Sequence, residues 1–94
     1  MDAKSPRDNF LGVMDSRENI QDEVLRRFGA RTRELRERAG ISQEESAHLS
    51  GLDRSYIGQV ERGERNVSLF NIFKIAKGLS VQPSELLTSL DGDI

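Results

Sequence analysis

Arginine, serine, tyrosine and glutamine side chains crowd the stretch GLDRSYIGQVERGERN, residues 51–66, at Arg54, Ser55, Tyr56 and Gln59, with Arg65 and Asn66 close behind. These groups are equipped to recognise a partner rather than to break a bond. Arginine offers a planar fork of donors that fits guanine O6 and N7 or a phosphate, glutamine fits adenine, and a hydroxyl serves either a base or a phosphate. No nucleophile and base pair, carboxylate dyad or glycine-rich phosphate loop can be assembled from the chain, so an enzyme is not expected. His48 is the only histidine and there are no cysteines, so neither a metal site nor a cofactor is expected. Tyr56, Ile57 and Val60 are interleaved with the polar groups, which makes the stretch half packed and half offered to a partner.

A side chain can recognise only if an element holds it still, and the surrounding pattern is helical. From Asp22, residues Leu25, Phe28, Thr32, Leu35 and Ala39 recur at spacings of 3, 4, 3 and 4, which predicts an amphipathic helix ended by Gly40. Ser42 with Glu45 makes a capping box for a second helix from Gln43 to about Leu49, stopped by Gly51. Asp53 is placed to cap a third, from Arg54 to about Arg62, with Ile57 and Val60 inward and Arg54, Ser55, Gly58 and Gln59 near its N-terminus and outward face. Ser68 caps a fourth with Leu69, Ile72, Phe73, Ala76 and Leu79 inward, closed by Gly78, Ser80 and Val81. Pro83 opens a last helix with Leu86, Leu87 and Leu90 on one side. The expected fold is all-α: a compact five-helix bundle over residues 22–90 in which helices two and three cross steeply as a helix-turn-helix. Residues 1–21 are an N-terminal extension, either flexible or one extra helical turn, and residues 91–94 an acidic tail.

The formal charge of the 94 residues is −2, but it is unevenly spread. Residues 24–79 hold eleven basic and seven acidic side chains, nine of the basic ones arginine; residues 1–23 hold three basic and six acidic, and residues 80–94 three acidic and no basic. A ligand feels charge within about 8 Å at physiological salt, so the middle segment is positive where it matters. The arginines Arg26, Arg27, Arg31, Arg33, Arg36 and Arg38 read as a solvated face paired to Glu34 and Glu37. No apolar run reaches membrane length and the N-terminus has no leader pattern, so a soluble, cytoplasmic protein is expected.

Residues 28–79, FGARTRELRERAGISQEESAHLSGLDRSYIGQVERGERNVSLFNIFKIAKGL, resemble the Cro and phage-repressor type of helix-turn-helix domain, the Xre family, and the likeness continues into VQPSELL. LDRSYIGQVERGERN is most similar to the controller proteins of restriction-modification systems. The resemblance implies a homodimer that binds an inverted repeat in double-stranded DNA and regulates transcription. By position, Gln43 corresponds to the phosphate-clamping residue, Arg54, Ser55, Tyr56 and Gln59 to the recognition face, and Arg65 and Asn66 to the loop positions that contact DNA. Ser46 stands where the family usually has an aliphatic residue; it either loosens the core or bonds back to a helix carbonyl.

The expected roles are therefore base reading for Arg54, Ser55 and Gln59, and phosphate or mixed contacts for Gln43, Tyr56, Arg65 and Asn66, with Tyr56 divided between packing and phosphate. Leu86, Leu87 and Leu90 are expected both to close the core and to form a two-fold dimer interface. RNA polymerase is a possible further partner, through acidic residues such as Glu44 and Glu45, and no small-molecule effector is expected. The alternative reading is a protein-interaction module, such as an antitoxin or the partner half of a repressor complex. Its sign would be recognition positions lacking Arg, Gln and Ser.

Overall fold

The computed structural model describes the backbone of residues 10–94 and the side chains from residue 19 onward. Five α-helices follow one another: α1 (Phe10–Ala39), α2 (Gln43–Ser50), α3 (Arg54–Glu61), α4 (Leu69–Leu79) and α5 (Pro83–Leu87), the last continued by a 3₁₀ turn over Thr88–Leu90. No strand occurs among the described residues. Residues 91–94 are exposed and belong to no regular element.

Helix α1 is longer than its apolar period predicts. It begins at Phe10 rather than at Asp22 and runs for 30 residues. The apolar period marks the part of α1 that contributes to the core, Phe28 through Leu35, and no proline between Pro6 and Asp22 stops the helix from extending toward the N-terminus. The expectation for residues 1–9 lies outside the described residues.

The local stop and start signals act where side chains or backbone can satisfy helix ends. Ser42 Oγ accepts the Glu45 N–H at 3.0 Å, and Ser68 Oγ accepts the Asn71 N–H at 3.1 Å. Gly51 ends α2 in the left-handed conformation, φ 70°, while Leu52 N–H reaches back to the Ala47 carbonyl at 2.9 Å. A residue with a Cβ pays for that conformation, and glycine does not. Asp53 holds the N-cap position of α3 but its side chain makes no capping bond. Helix α4 runs through Gly78, and Ser80 ends it at φ 58°.

The core gathers Phe28 and Leu35 of α1, Ala47 of α2, Ile57 and Val60 of α3, Ile75, Ala76 and Leu79 of α4, and Leu86 of α5. Thr32 is fully buried among them and donates its hydroxyl to the Phe28 carbonyl at 2.8 Å. Ser46 is also fully buried, but its hydroxyl finds no acceptor among the described residues, so of the two alternatives the bond back to a carbonyl does not form. Three inward assignments are corrected. Ala39 is exposed, one turn past the last core contact of α1. Leu69 is 81% and Phe73 47% exposed, and Ile75 takes the buried place instead. Helix α4, LFNIFKIAKGL, is apolar nearly all round, so the 3.6-residue period fits more than one phase. Leu86 is completely buried within the single chain and has no surface left for a partner.

Two glycines set how closely the layers meet. A Cβ on Gly29 of α1 would overlap the Val60 carbonyl oxygen and lie 2.8 Å from that of Glu61. A Cβ on Gly78 of α4 would overlap Ser50 Oγ and lie 3.0 Å from the Ser50 nitrogen. Thus α3 lies backbone against α1, and α2 against α4. Alanine at position 29 would gain helix propensity of about 0.5–1 kcal/mol, but the clash is with backbone and cannot be relieved by a rotamer. Gly29→Ala is therefore expected to lower the unfolding free energy by about 3 kcal/mol, measured by urea denaturation; an unchanged midpoint would mean that α1 and α3 can separate without loss.

Candidate nucleic-acid interface

Helix α3 is held at its C-terminal end by a carboxylate. Glu61, with a side chain only 3% exposed, receives Arg36 Nε at 2.6 Å on one oxygen and Arg36 Nη2 at 3.0 Å on the other. Arg36 spends its third nitrogen on the Ile41 carbonyl at 2.9 Å, in the turn between α1 and α2. Gln43, first residue of α2, donates its amide to Glu61 Oε1 at 3.0 Å. One carboxylate thus gathers α1, α2 and α3. The hydrogen bonds that Arg36 donates to Glu61 hold its guanidinium protonated more firmly than that of a free arginine. Arg36 is the exception on the arginine face of α1, since its partner comes from α3 and not from Glu34 or Glu37.

The other arginines of that face pair locally. Arg31 and Arg38 both reach Glu34, Arg33 reaches Glu37, and Arg26 and Arg27 share Glu23. The hydrogen bond from Arg31, with the charge of Arg38 behind it, holds Glu34 below the ordinary carboxylate range. Arg31 also donates to the Glu85 carbonyl at 2.9 Å and so ties α1 to α5. Past the end of α3, Arg62 pairs with Glu64, and its hydrogen bond lowers the Glu64 pKa. Exposed pairs of this kind contribute little to stability. Their effect is to cancel charge.

Against that background Arg54 stands apart. Arg54 and Ser55 occupy the first turn of α3, are exposed, and take no hydrogen-bond or ion-pair partner among the described residues. Gln59, one turn on, is half-buried. Gly58 is not on the outward face as expected; it is buried, and a Cβ there would lie 3.6 Å from Gln43 Oε1, so the glutamine amide lies across it. Gln43 is therefore positioned by Glu61 and keeps one amide hydrogen and the carbonyl oxygen for an outside partner.

The loop residues divide. Arg65 lies with its guanidinium carbon 5.0 Å from the centre of the Tyr56 ring, and the Tyr56 hydroxyl accepts from Asn71 Nδ2 at 3.0 Å. Asn66 is exposed and borders a shallow apolar cleft with Val24, Leu25, Leu87 and Leu90. The sequence reading missed the Arg36–Glu61–Gln43 junction and Asn71. Glu61 is two residues before Gly63, and only its depth under Arg36 separates it from a surface acid.

His48 is exposed on α2, and no group of three His, Cys, Asp or Glu among the described residues could hold a metal ion. No helix among the described residues is long and apolar enough to cross a membrane.

Two short helices, α2 and α3, joined through the left-handed Gly51 and in contact with each other, with Arg54 and Ser55 left unpaired on α3, make the arrangement of a helix-turn-helix. The helix-turn-helix family model HTH_3 matches residues 33–86. The chain belongs to that family. It is 51% identical over 61 residues to the control protein C.BamHI of Bacillus amyloliquefaciens, covering 64% of this chain and 75% of the relative. It is 41% identical over 71 residues to the control protein C.MunI of a Mycoplasma species, covering 74% and 96%. The crystal structure of the restriction-modification controller protein C.AhdI from Aeromonas hydrophila superposes with a TM-score of 0.68 at 60% identity, over 69% of this chain and 94% of that one. This helix-turn-helix protein of the Xre type is a DNA-binding transcriptional regulator and not an enzyme.

The junction at Glu61 has a measurable weight. Removing one member of a buried ion pair strands the other, so Glu61→Ala is expected to cost about 3–5 kcal/mol of stability. Replacing both by apolar residues, Arg36→Met with Glu61→Leu, should cost clearly less than the sum of the single changes. Urea unfolding of the wild type, Arg36→Met, Glu61→Leu and the double variant measures this, and additive losses would show that the pair does not act as a unit.

Proposed function

We propose that the protein acts as a homodimer on an inverted repeat in double-stranded DNA, with α3 of each protomer in the major groove, and regulates transcription from there. The observation that carries this reading is the fate of the arginines. Of the nine in residues 24–79, seven pair with carboxylates, and among the described residues the two that do not are Arg54 on α3 and Arg65 in the loop after it. Unspent guanidinium groups at the leading end of a helix suit guanine edges, and one in the neighbouring loop suits phosphate. Ser55 and Gln59 supply the other base-reading groups, while Gln43 at the start of α2, Tyr56 and Asn66 supply phosphate or mixed contacts.

The dimer reading draws on α4 more than on the leucines of α5. Leu69, Phe70 and Phe73 are exposed, the two rings lie nearly parallel with centres 6.4 Å apart, and with Pro83 and Leu87 they line an apolar recess. A contiguous apolar face of this kind on a small domain suits a second copy related by a two-fold axis. Leu87 and Leu90 border it or the adjoining cleft, whereas Leu86 belongs to the core. The likeness to proteins named control proteins supports the genes of a restriction-modification system as the regulated set.

Selection of duplexes from a random pool by the purified protein tests the reading directly. An inverted repeat with half-site centres about 34 Å apart is expected, bound roughly a thousandfold or more tighter than scrambled DNA; the absence of any enriched sequence would overturn the proposal. On that repeat, Arg54→Ala should lose about 1–3 kcal/mol and relax preference at one base pair per half-site. An equal loss on every sequence would make Arg54 a phosphate contact instead. Phe73→Glu should shift the protein from dimer to monomer in sedimentation while leaving its helical content unchanged, and a variant that remains dimeric would move the interface elsewhere.

A further inference from the structure

Tyr56, Arg65 and Asn71 come from α3, from the loop that follows it and from the first turn of α4, and they form a chain of contacts across the loop. Asn71 is fixed twice. Its backbone N–H is held by Ser68 Oγ at 3.1 Å, and its side-chain amide donates to the Tyr56 hydroxyl at 3.0 Å. The Tyr56 ring in turn carries the Arg65 guanidinium 5.0 Å from its centre. Asparagine is a poor helix former because its amide competes for nearby backbone groups. At this position the amide instead spans to a neighbouring helix, and both residues of the contact are half-buried.

We propose that Asn71 is a positioning residue for DNA binding: through the Tyr56 hydroxyl it fixes the ring on which Arg65 stacks, and so sets the direction in which the phenol and the guanidinium meet the sugar-phosphate chain. Three observations converge on this. Arg65 has no carboxylate partner among the described residues, so the ring is the contact that limits its rotamers. An unrestrained arginine would lose that freedom only on binding, and a stacked one has already lost part of it. With Asn71 occupying an acceptor site of the phenol oxygen, the phenol O–H remains free to donate outward, and a hydroxyl that accepts one hydrogen bond donates the next more strongly.

This inference rests on the DNA-binding reading above, and the test separates the two. The full-length wild type, Asn71→Ala, Tyr56→Phe and the double variant are titrated on the selected duplex, and each is unfolded in urea. A single hydrogen bond in a preorganised contact is worth a factor of about three to ten. Asn71→Ala and Tyr56→Phe should each weaken binding by that factor at a temperature and protein concentration where the urea curves show every variant fully folded, and the double variant should bind no worse than the weaker single. Arg65→Ala should also cost less in the Asn71→Ala background than in the wild type. The inference is overturned if the wild type binds the duplex and Asn71→Ala stays within about twofold of it, if the two single losses multiply in the double variant, or if affinity falls only as far as stability does. A wild type that selects no duplex is a different failure: it removes the DNA-binding reading itself, and this inference with it.

Discussion

The architecture depends on one buried carboxylate. Glu61 ends α3, and an acidic group at the C-terminal end of a helix faces the negative pole of its dipole. Burying that charge would be costly without compensation. Compensation comes from Arg36, which closes on both oxygens, and from Gln43, which adds a third donor. Because Arg36 also holds the Ile41 carbonyl, the turn that leads into α2 is tied to the same point. The angle between α2 and α3 is then set by hydrogen-bond directions, which tolerate less variation than apolar packing alone. Gly29 complements this from below, by letting the α3 backbone settle onto α1.

The second organising feature is how charge is allotted. A total of −2 looks unsuited to a polyanion, yet totals do not act on ligands; fields do. Along α1 the acids are spent within one or two turns of the arginines they neutralise, so that face carries little net field. The unspent positive groups lie on α3, in its following loop and on α4, where Lys74 and Lys77 lie over Phe70 and Phe73. Charge is thus concentrated by cancellation elsewhere rather than by accumulation.

How much of this is visible in the residues themselves depends on how far each cause reaches along the chain. Ser42, Ser68 and Gly51 act on backbone groups within a few positions, and helix ends and the α2–α3 turn follow from them directly. The outward placement of Arg54 and Ser55 is legible because the apolar pair Ile57 and Val60 fixes which side of α3 faces in. Long-range causes are not legible in the same way. Arg36 looks like its five arginine neighbours on α1, and only a partner 25 positions away distinguishes it. Gly29 and Gly78 look like weak helix residues until another backbone is set against them. The phase of α4 is ambiguous because apolar residues surround it, so the period admits Phe73 inward and does not single out Ile75. Leu86, Leu87 and Leu90 lie on one side of a short helix, and burial of the first alone separates core from surface.

Arg54 and Ser55 have no partner among the described residues, and this bears on how such a protein changes over time. Residues that brace a fold are hard to exchange, since each substitution must be matched by another. Here the bracing is done by Arg36, Glu61, Gln43 and the close helix crossings, while Arg54 and Ser55 at the start of α3 carry none of it. Their exposed side chains can be traded for others without a stability debt, so one scaffold can be retargeted by a few codon changes. The division of labour between a stiff frame and an uncommitted edge makes that edge evolvable.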